Sequence, residues 1–108
     1  MNLTLRVFPE AEADLREQHN WYLDAAGEAL AEGFIAAFRL RSAELLRDPH
    51  MGRLRRFRPV KLRGLRSVIL RHRFEQFVVF YRVTDATLDV VKVVHGARDQ
   101  PKLLGDED

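Results

Sequence analysis

Residues 3–8 alternate, with Leu3, Leu5 and Val7 on one side and Thr4, Arg6 and Phe8 on the other. That period of two predicts a short strand with one mostly apolar face. Pro9 follows, and its fixed φ suits the first turn of a helix. Glu10, Glu12 and Asp14 complement the positive end of that helix's dipole. Ala11, Leu15, Gln18 or His19, and Tyr22 then recur at helical spacing up to Ala26, where Gly27 breaks the pattern. A second helix is expected from about residue 28 to residue 47. Leu30, Phe34, Ala37 or Phe38, Arg41 and Leu45 keep the 3-4 spacing, and Ile35 and Leu46 widen the stripe. It should stop at Asp48-Pro49, because the residue before proline is pushed out of the helical region. Two helices with so short a joint pack antiparallel and lay their shared apolar face on another layer.

That layer is a sheet. Residues 74–83 hold Phe74, Phe77, Val78, Val79, Phe80, Tyr81 and Val83, apolar on both faces as a central strand requires. Thr84-Asp85-Ala86 reads as a turn, and residues 88–95, with Val90, Val91, Val93 and Val94, as the next strand. Upstream, Leu65, Val68, Ile69 and Leu70 mark a third strand over residues 65–70, with arginines at its ends and on its exposed face. The expected class is α+β, a helical hairpin packed on an antiparallel sheet in the order β-α-α-β-β-β. One domain over residues 1–104 is expected, followed by an acidic tail, 105–108, that should fray.

Composition adds limits. A chain of 108 residues, 46% hydrophobic and 31% charged, suits one globular core and not two. It has no cysteine, which excludes a disulfide scaffold, a thiolate zinc site and a cysteine nucleophile, and agrees with a reducing cytoplasm. The opening residues show no apolar run ending in a cleavage site, and no stretch reaches the roughly 20 apolar residues of a membrane span.

The net charge of +2 conceals a strong segregation. Residues 1–52 carry five basic and nine acidic side chains, and residues 74–108 carry four and seven. Residues 53–73 between them carry nine cations and no acid: Arg53, Arg55, Arg56, Arg58, Lys61, Arg63, Arg66, Arg71 and Arg73. Half of the 18 cations therefore sit in one short block, which favours an anionic partner through charge steering and counterion release. The plainer alternative is a solvated basic loop.

Familiar catalytic arrangements are missing. His19, His50, His72 and His95 have no paired ligand spacing, so no metal is expected. Ser42 and Ser67 are the only serines, and neither lies in a Gly-x-Ser-x-Gly elbow. The glycines form no phosphate-cradling loop, and no cofactor is expected. Trp21-Tyr22 could be a functional pair, although an aromatic pair late in a helix more often packs on the core.

What remains has a recognisable order. A first strand leads into Pro9-Glu10-Ala11-Glu12-Ala13-Asp14-Leu15, with an aromatic, Tyr22, late in the helix. Asp48-Pro49-His50-Met51-Gly52-Arg53 contains a Pro-x-x-Gly turn, and Leu62-Arg63-Gly64-Leu65-Arg66 a leucine–arginine–glycine segment. Phe80-Tyr81-Arg82-Val83 and Val94-His95-Gly96-Ala97-Arg98-Asp99 complete the set. Over roughly residues 3–100 these pieces resemble the ParE family of the RelE/ParE toxin superfamily.

The resemblance implies a cytoplasmic type II toxin held silent by a cognate ParD-like antitoxin in a hetero-oligomer. Its role would be plasmid stabilisation, its target DNA gyrase, and its contact with operator DNA only through the antitoxin. The sister RelE-type toxins instead cut mRNA on the ribosome. In that branch an arginine follows the aromatic at the start of the central strand, and a tyrosine lies near the C-terminus. Here Val78 follows Phe77, and no tyrosine or histidine follows Arg98. Valine can neither carry charge nor donate to a phosphate, so cation and proton-transfer parts are both lacking. The expected function is therefore non-catalytic, with no catalytic residue assigned. The nine cations of residues 53–73, together with Arg98, would form a surface for the target or the antitoxin. Arg66 could instead be a packed structural arginine, and Arg98 a strand-end arginine paired locally. The rival readings are a RelE-like mRNA endonuclease and a non-toxic, retargeted family member acting as a binding module.

Overall fold

The computed structural model describes residues 2–96. The first strand, β1 (Thr4–Val7), runs directly into helix α1 (Pro9–Ala26), with Pro9 in the first turn and Glu10 and Glu12 beside it. Gly27 ends α1 and begins α2 (Glu28–Arg47) in one residue. Its φ of 98° and ψ of 172° lie where a side chain is strained, and its N–H donates to the Tyr22 carbonyl at 2.9 Å. Both helix boundaries agree with the sequence reading, because proline and glycine punctuate them.

The remaining strands are β2 (Arg53–Leu54), β3 (Arg66–Ile69), β4 (Phe77–Val83) and β5 (Thr87–His95), with a single 3-10 turn at Val60–Leu62 between β2 and β3. They form one sheet in the order β1-β5-β4-β3-β2. The α+β class and the strand and helix order are as expected. The sheet itself is antiparallel except at one edge, where β1 pairs parallel to β5, Thr4 opposite Thr87 and Val7 opposite Val90. The antiparallel steps from β2 through β3 and β4 set the direction of β5, and it coincides with that of β1.

The helices cover one face. Phe77, Val79 and Tyr81 of β4 and Leu88, Val90 and Val93 of β5 meet Tyr22, Phe34, Phe38 and Leu45 there. Phe34, fully buried, lies within 5.7 Å, ring centre to ring centre, of Tyr22, Phe74 and Phe77. Arg41, which shares the apolar spacing of α2, is buried too, and its Nε donates to the Ile69 carbonyl at 2.9 Å.

Two expected strands are shorter than the sequence suggests. Phe74 is not in the central strand. It sits in a turned segment where its N–H donates to the Arg71 carbonyl and Phe77 N–H to the Phe74 carbonyl, and its ring plugs the helix-side core. Hydrophobicity there reports burial rather than extended backbone. Leu65 and Leu70 likewise flank β3, and the two-residue β2 is too short and too arginine-rich to carry a strand pattern. Among the described residues no helix is long and apolar enough to cross a membrane.

Candidate functional site

The sheet's other face is covered by the basic segment. Phe57, Leu65, Phe80 and Val94 form a second, smaller apolar cluster there, with Leu62, Val78 and Val91 packed against it. β4 supplies both layers, because alternate side chains point to opposite faces.

Little regular structure holds this segment down, and arginine side chains and one tyrosine help bond it in place. Arg55 is 8% exposed; its backbone N–H donates to the Leu65 carbonyl at 2.8 Å and Nη1 donates to Ser67 Oγ at 3.1 Å. Its guanidinium carbon lies 5.2 Å from the Phe57 ring centre and 5.5 Å from that of Phe80, within cation–π range of both. Arg82 reaches across from β4 to donate to the carbonyls of Lys61 (2.7 Å) and Arg63 (3.1 Å). Gly64 follows at a φ of 81°, which turns the chain back toward β3.

The Pro-x-x-Gly turn is pinned in the same way. The buried Tyr81 hydroxyl donates to the Pro49 carbonyl at 2.7 Å and accepts from Gly52 N–H at 2.9 Å. Arg66 Nη1 donates to the carbonyls of Gly52 (2.9 Å) and His50 (3.2 Å). A Cβ on Gly52 would come within 2.5 Å of the Tyr81 hydroxyl and 3.0 Å of the Ser67 carbonyl, so the turn requires glycine for space. Burial holds the Tyr81 phenol above its ordinary 10.0, against the opposing pull of Gly52 N–H. It stays protonated, as its donation to Pro49 needs.

The nine-cation block is thus divided. Arg53, Arg56, Arg58, Lys61 and Arg63 are exposed along β2 and the segment after it. Arg55 and Arg66 are bound to the protein's own groups. Arg71 and Arg73 are exposed in the β3–β4 connection, at the opposite end of β3. Arg71 forms a two-toothed pair with Glu44 of α2, Nε to Oε1 at 3.3 Å and Nη2 to Oε2 at 3.0 Å. That hydrogen bonding holds the Glu44 carboxyl below its ordinary 4.5. Arg98 and the chain beyond it, with the acidic 105–108 segment, lie outside the described residues.

Between β2 and the loop that follows lies a cleft of about 390 Å³ lined by Leu54, Arg55, Arg56, Phe57, Arg58, Arg63 and Gly64. A second cavity, between α1, α2 and β5 and touching Asp14, Gln18 and His95, is about 50 Å³. It has room for a few waters at most. Among the described residues no group of three or more histidines, aspartates or glutamates could hold a metal ion. His19 meets Glu32 at 2.8 Å, and His95 packs edge-on against Phe77.

A family model described as "ParE toxin of type II toxin-antitoxin system, parDE" matches residues 5–100. The chain belongs to the ParE toxin family. Among solved structures it is similar to one titled "Chromosomal ParDE TA system from P. aeruginosa", with a TM-score of 0.68 at 20% sequence identity, covering 86% of this chain and 95% of that one. At that identity the likeness is one of fold. No curated protein matches the chain.

For a ParE-family chain, the residues missed from sequence are the ones that hold the surface rather than form it. Tyr81 and Arg82 stand in a segment whose hydrophobicity marks a central strand, and nothing in that pattern says their polar tips reach loop carbonyls. The signal that was present is Arg82 itself, a cation inside an apolar run.

Proposed function

We propose that this ParE-family chain is the toxin of a type II pair and acts by binding rather than by chemistry, with DNA gyrase as its target. The observation that carries the reading is the use made of its cations. Three arginines near the site, Arg55, Arg66 and Arg82, bond to the protein's own hydroxyl and carbonyl groups, and the outward cations of residues 53–63 then edge an open cleft. Val78, where the RNA-cutting relatives would carry an arginine, packs against the apolar cluster under that segment. A basic surface edging an open cleft suits recognition of a large anionic partner. A cognate ParD-like antitoxin would cover it in a hetero-oligomer, and operator DNA would be reached only through that antitoxin. The site of action would be the cytoplasm, and residues 1–104 would form a single toxin domain.

Induced expression of the lone chain tests the reading. Growth should arrest, and co-expression of the antitoxin encoded beside it should restore growth. Unimpaired growth at confirmed expression would overturn the toxin assignment. In vitro translation run beside it should proceed normally; ribosome-dependent mRNA cleavage would favour the RelE-like alternative.

A further inference from the structure

His95 closes β5, and its Nδ1 is buried with no hydrogen-bond partner among the described residues. Phe77 packs against the ring edge-on, 5.5 Å between centres. The same histidine lines the cavity of about 50 Å³ between β5 and the helices, where Asp14, Glu17 and Gln18 of α1 supply the polar walls and Phe34 and Phe77 apolar ones. Asp14 is only partly engaged. Its Oδ1 accepts from Lys92 Nζ at 2.9 Å and its Oδ2 from Val93 N–H at 3.0 Å, which leaves each oxygen a further lone pair.

Buried polar nitrogens are nearly always satisfied, so an orphan facing a cavity points to a guest. The cavity's size and chemistry select it. An organic ligand of ordinary size takes about 300–1,000 Å³. Asp14 and Glu17 repel an anion, and among the described residues no group of three or more ligating side chains could hold a metal ion. A water needs only about 10–15 Å³ and two to four polar partners. Water also suits either tautomer of His95, because it can donate to Nδ1 or accept from it.

We propose that this cavity is a built hydration site, in which one ordered water joins His95 Nδ1 to Asp14 and Gln18 of α1. β1 pairs with β5 only as far as Val90, and beyond that point the Asp14 carboxylate takes the Val93 N–H. The water extends this seam between α1 and β5 to the last residue of the strand. The seam belongs to the fold, and it holds whether or not the chain is a toxin.

A high-resolution crystal structure of the intact chain tests it. Ordered solvent should lie within about 3.2 Å of His95 Nδ1 and of a Gln18 or Asp14 polar atom. Urea unfolding of His95→Phe, Gln18→Leu and the double variant supplies a second readout. Because the two side chains meet through the water, the double variant's loss in folding equilibrium constant should fall short of the product of the single losses by about threefold or more. Where His95→Phe does not fold, the solvent position in the unaltered chain decides alone. A dry cavity, a His95 Nδ1 bonded directly to a protein group, or single losses that simply multiply would each overturn the proposal.

Discussion

The two faces of the sheet are built on different principles. Among the described residues the helix-side core gathers fifteen buried residues and the far side four, so burial on the helix side dominates stability. On the far side Phe57, Leu65, Phe80 and Val94 anchor a long irregular segment, but its path is drawn by Arg55, Arg66, Arg82 and Tyr81, which hydrogen-bond loop carbonyls, Gly52 N–H and Ser67. A hydrogen bond contributes about 0.5–1.5 kcal/mol net, whereas a buried large side chain contributes about 1.5–3 kcal/mol. The far face therefore adds modestly to stability while fixing the path of the segment that carries the surface cations. Apolar packing makes the fold, and directional bonds make the surface.

Breaking the helix side should cost most. Phe34→Ala removes a fully buried ring with three aromatic neighbours, and urea unfolding should show a loss of about 3–5 kcal/mol. Whatever fraction stays folded should still bind its partner normally. If partner affinity fell while stability held, the separation of the two faces would be wrong.

Tyr81→Phe sharpens the comparison, because that ring belongs to the helix-side core while its hydroxyl holds the turn before β2. It should cost about 1–3 kcal/mol, since Pro49 carbonyl and Gly52 N–H lose their partner. Amide exchange should speed up at Gly52 more than in either helix. Uniform acceleration would contradict the local role.

Arg82→Lys belongs wholly to the far face. Lysine lacks the guanidinium fork that spans two carbonyls, so stability should fall by only about 0.5–1.5 kcal/mol. Exchange at residues 61–64 should rise and partner binding should weaken. Retained binding beside a large stability loss would reverse the assignment.

The smallest effect is expected at the β1 edge, where Arg6 donates twice to the buried Asp89 carboxylate, at 2.8 and 3.0 Å. That bonding holds Asp89 below its ordinary 3.8. Its contribution is therefore full above that value and is lost as pH falls through the lower folded value. Asp14 has the opposite sign: burial raises it, despite bonds from Val93 N–H and Lys92. Its contribution is present at low pH and fades as pH rises through its folded value. Asp89→Asn should flatten the acid limb of stability against pH, and an unaltered limb would exclude the Arg6 pair as its source.

The sequence made the helices legible to the residue, because Pro9, Gly27 and Pro49 are backbone constraints that no packing can override. The strands β4 and β5 were legible in their alternation, though Phe74 shows that an aromatic in the same run can be a core plug. β2 was not legible, since two residues carry no period. Charge segregation marked the candidate surface, but it could not divide the block. Whether an arginine faces solvent, as Arg63 does, or its own chain, as Arg66 does, depends on which carbonyls the fold brings within reach. The parallel pairing of β1 was hidden for the same reason: it follows from the route of the whole chain through the sheet and not from any property of residues 4–7.

The most direct test of a binding toxin with a basic target surface is a supercoiling assay with DNA gyrase. Purified chain should inhibit supercoiling, and a Lys61→Glu, Arg63→Glu double variant, still folded by circular dichroism, should lose that inhibition. Undiminished supercoiling in the presence of the unaltered chain would contradict gyrase as the target, and full inhibition by the double variant would contradict the basic cleft as the surface that binds it.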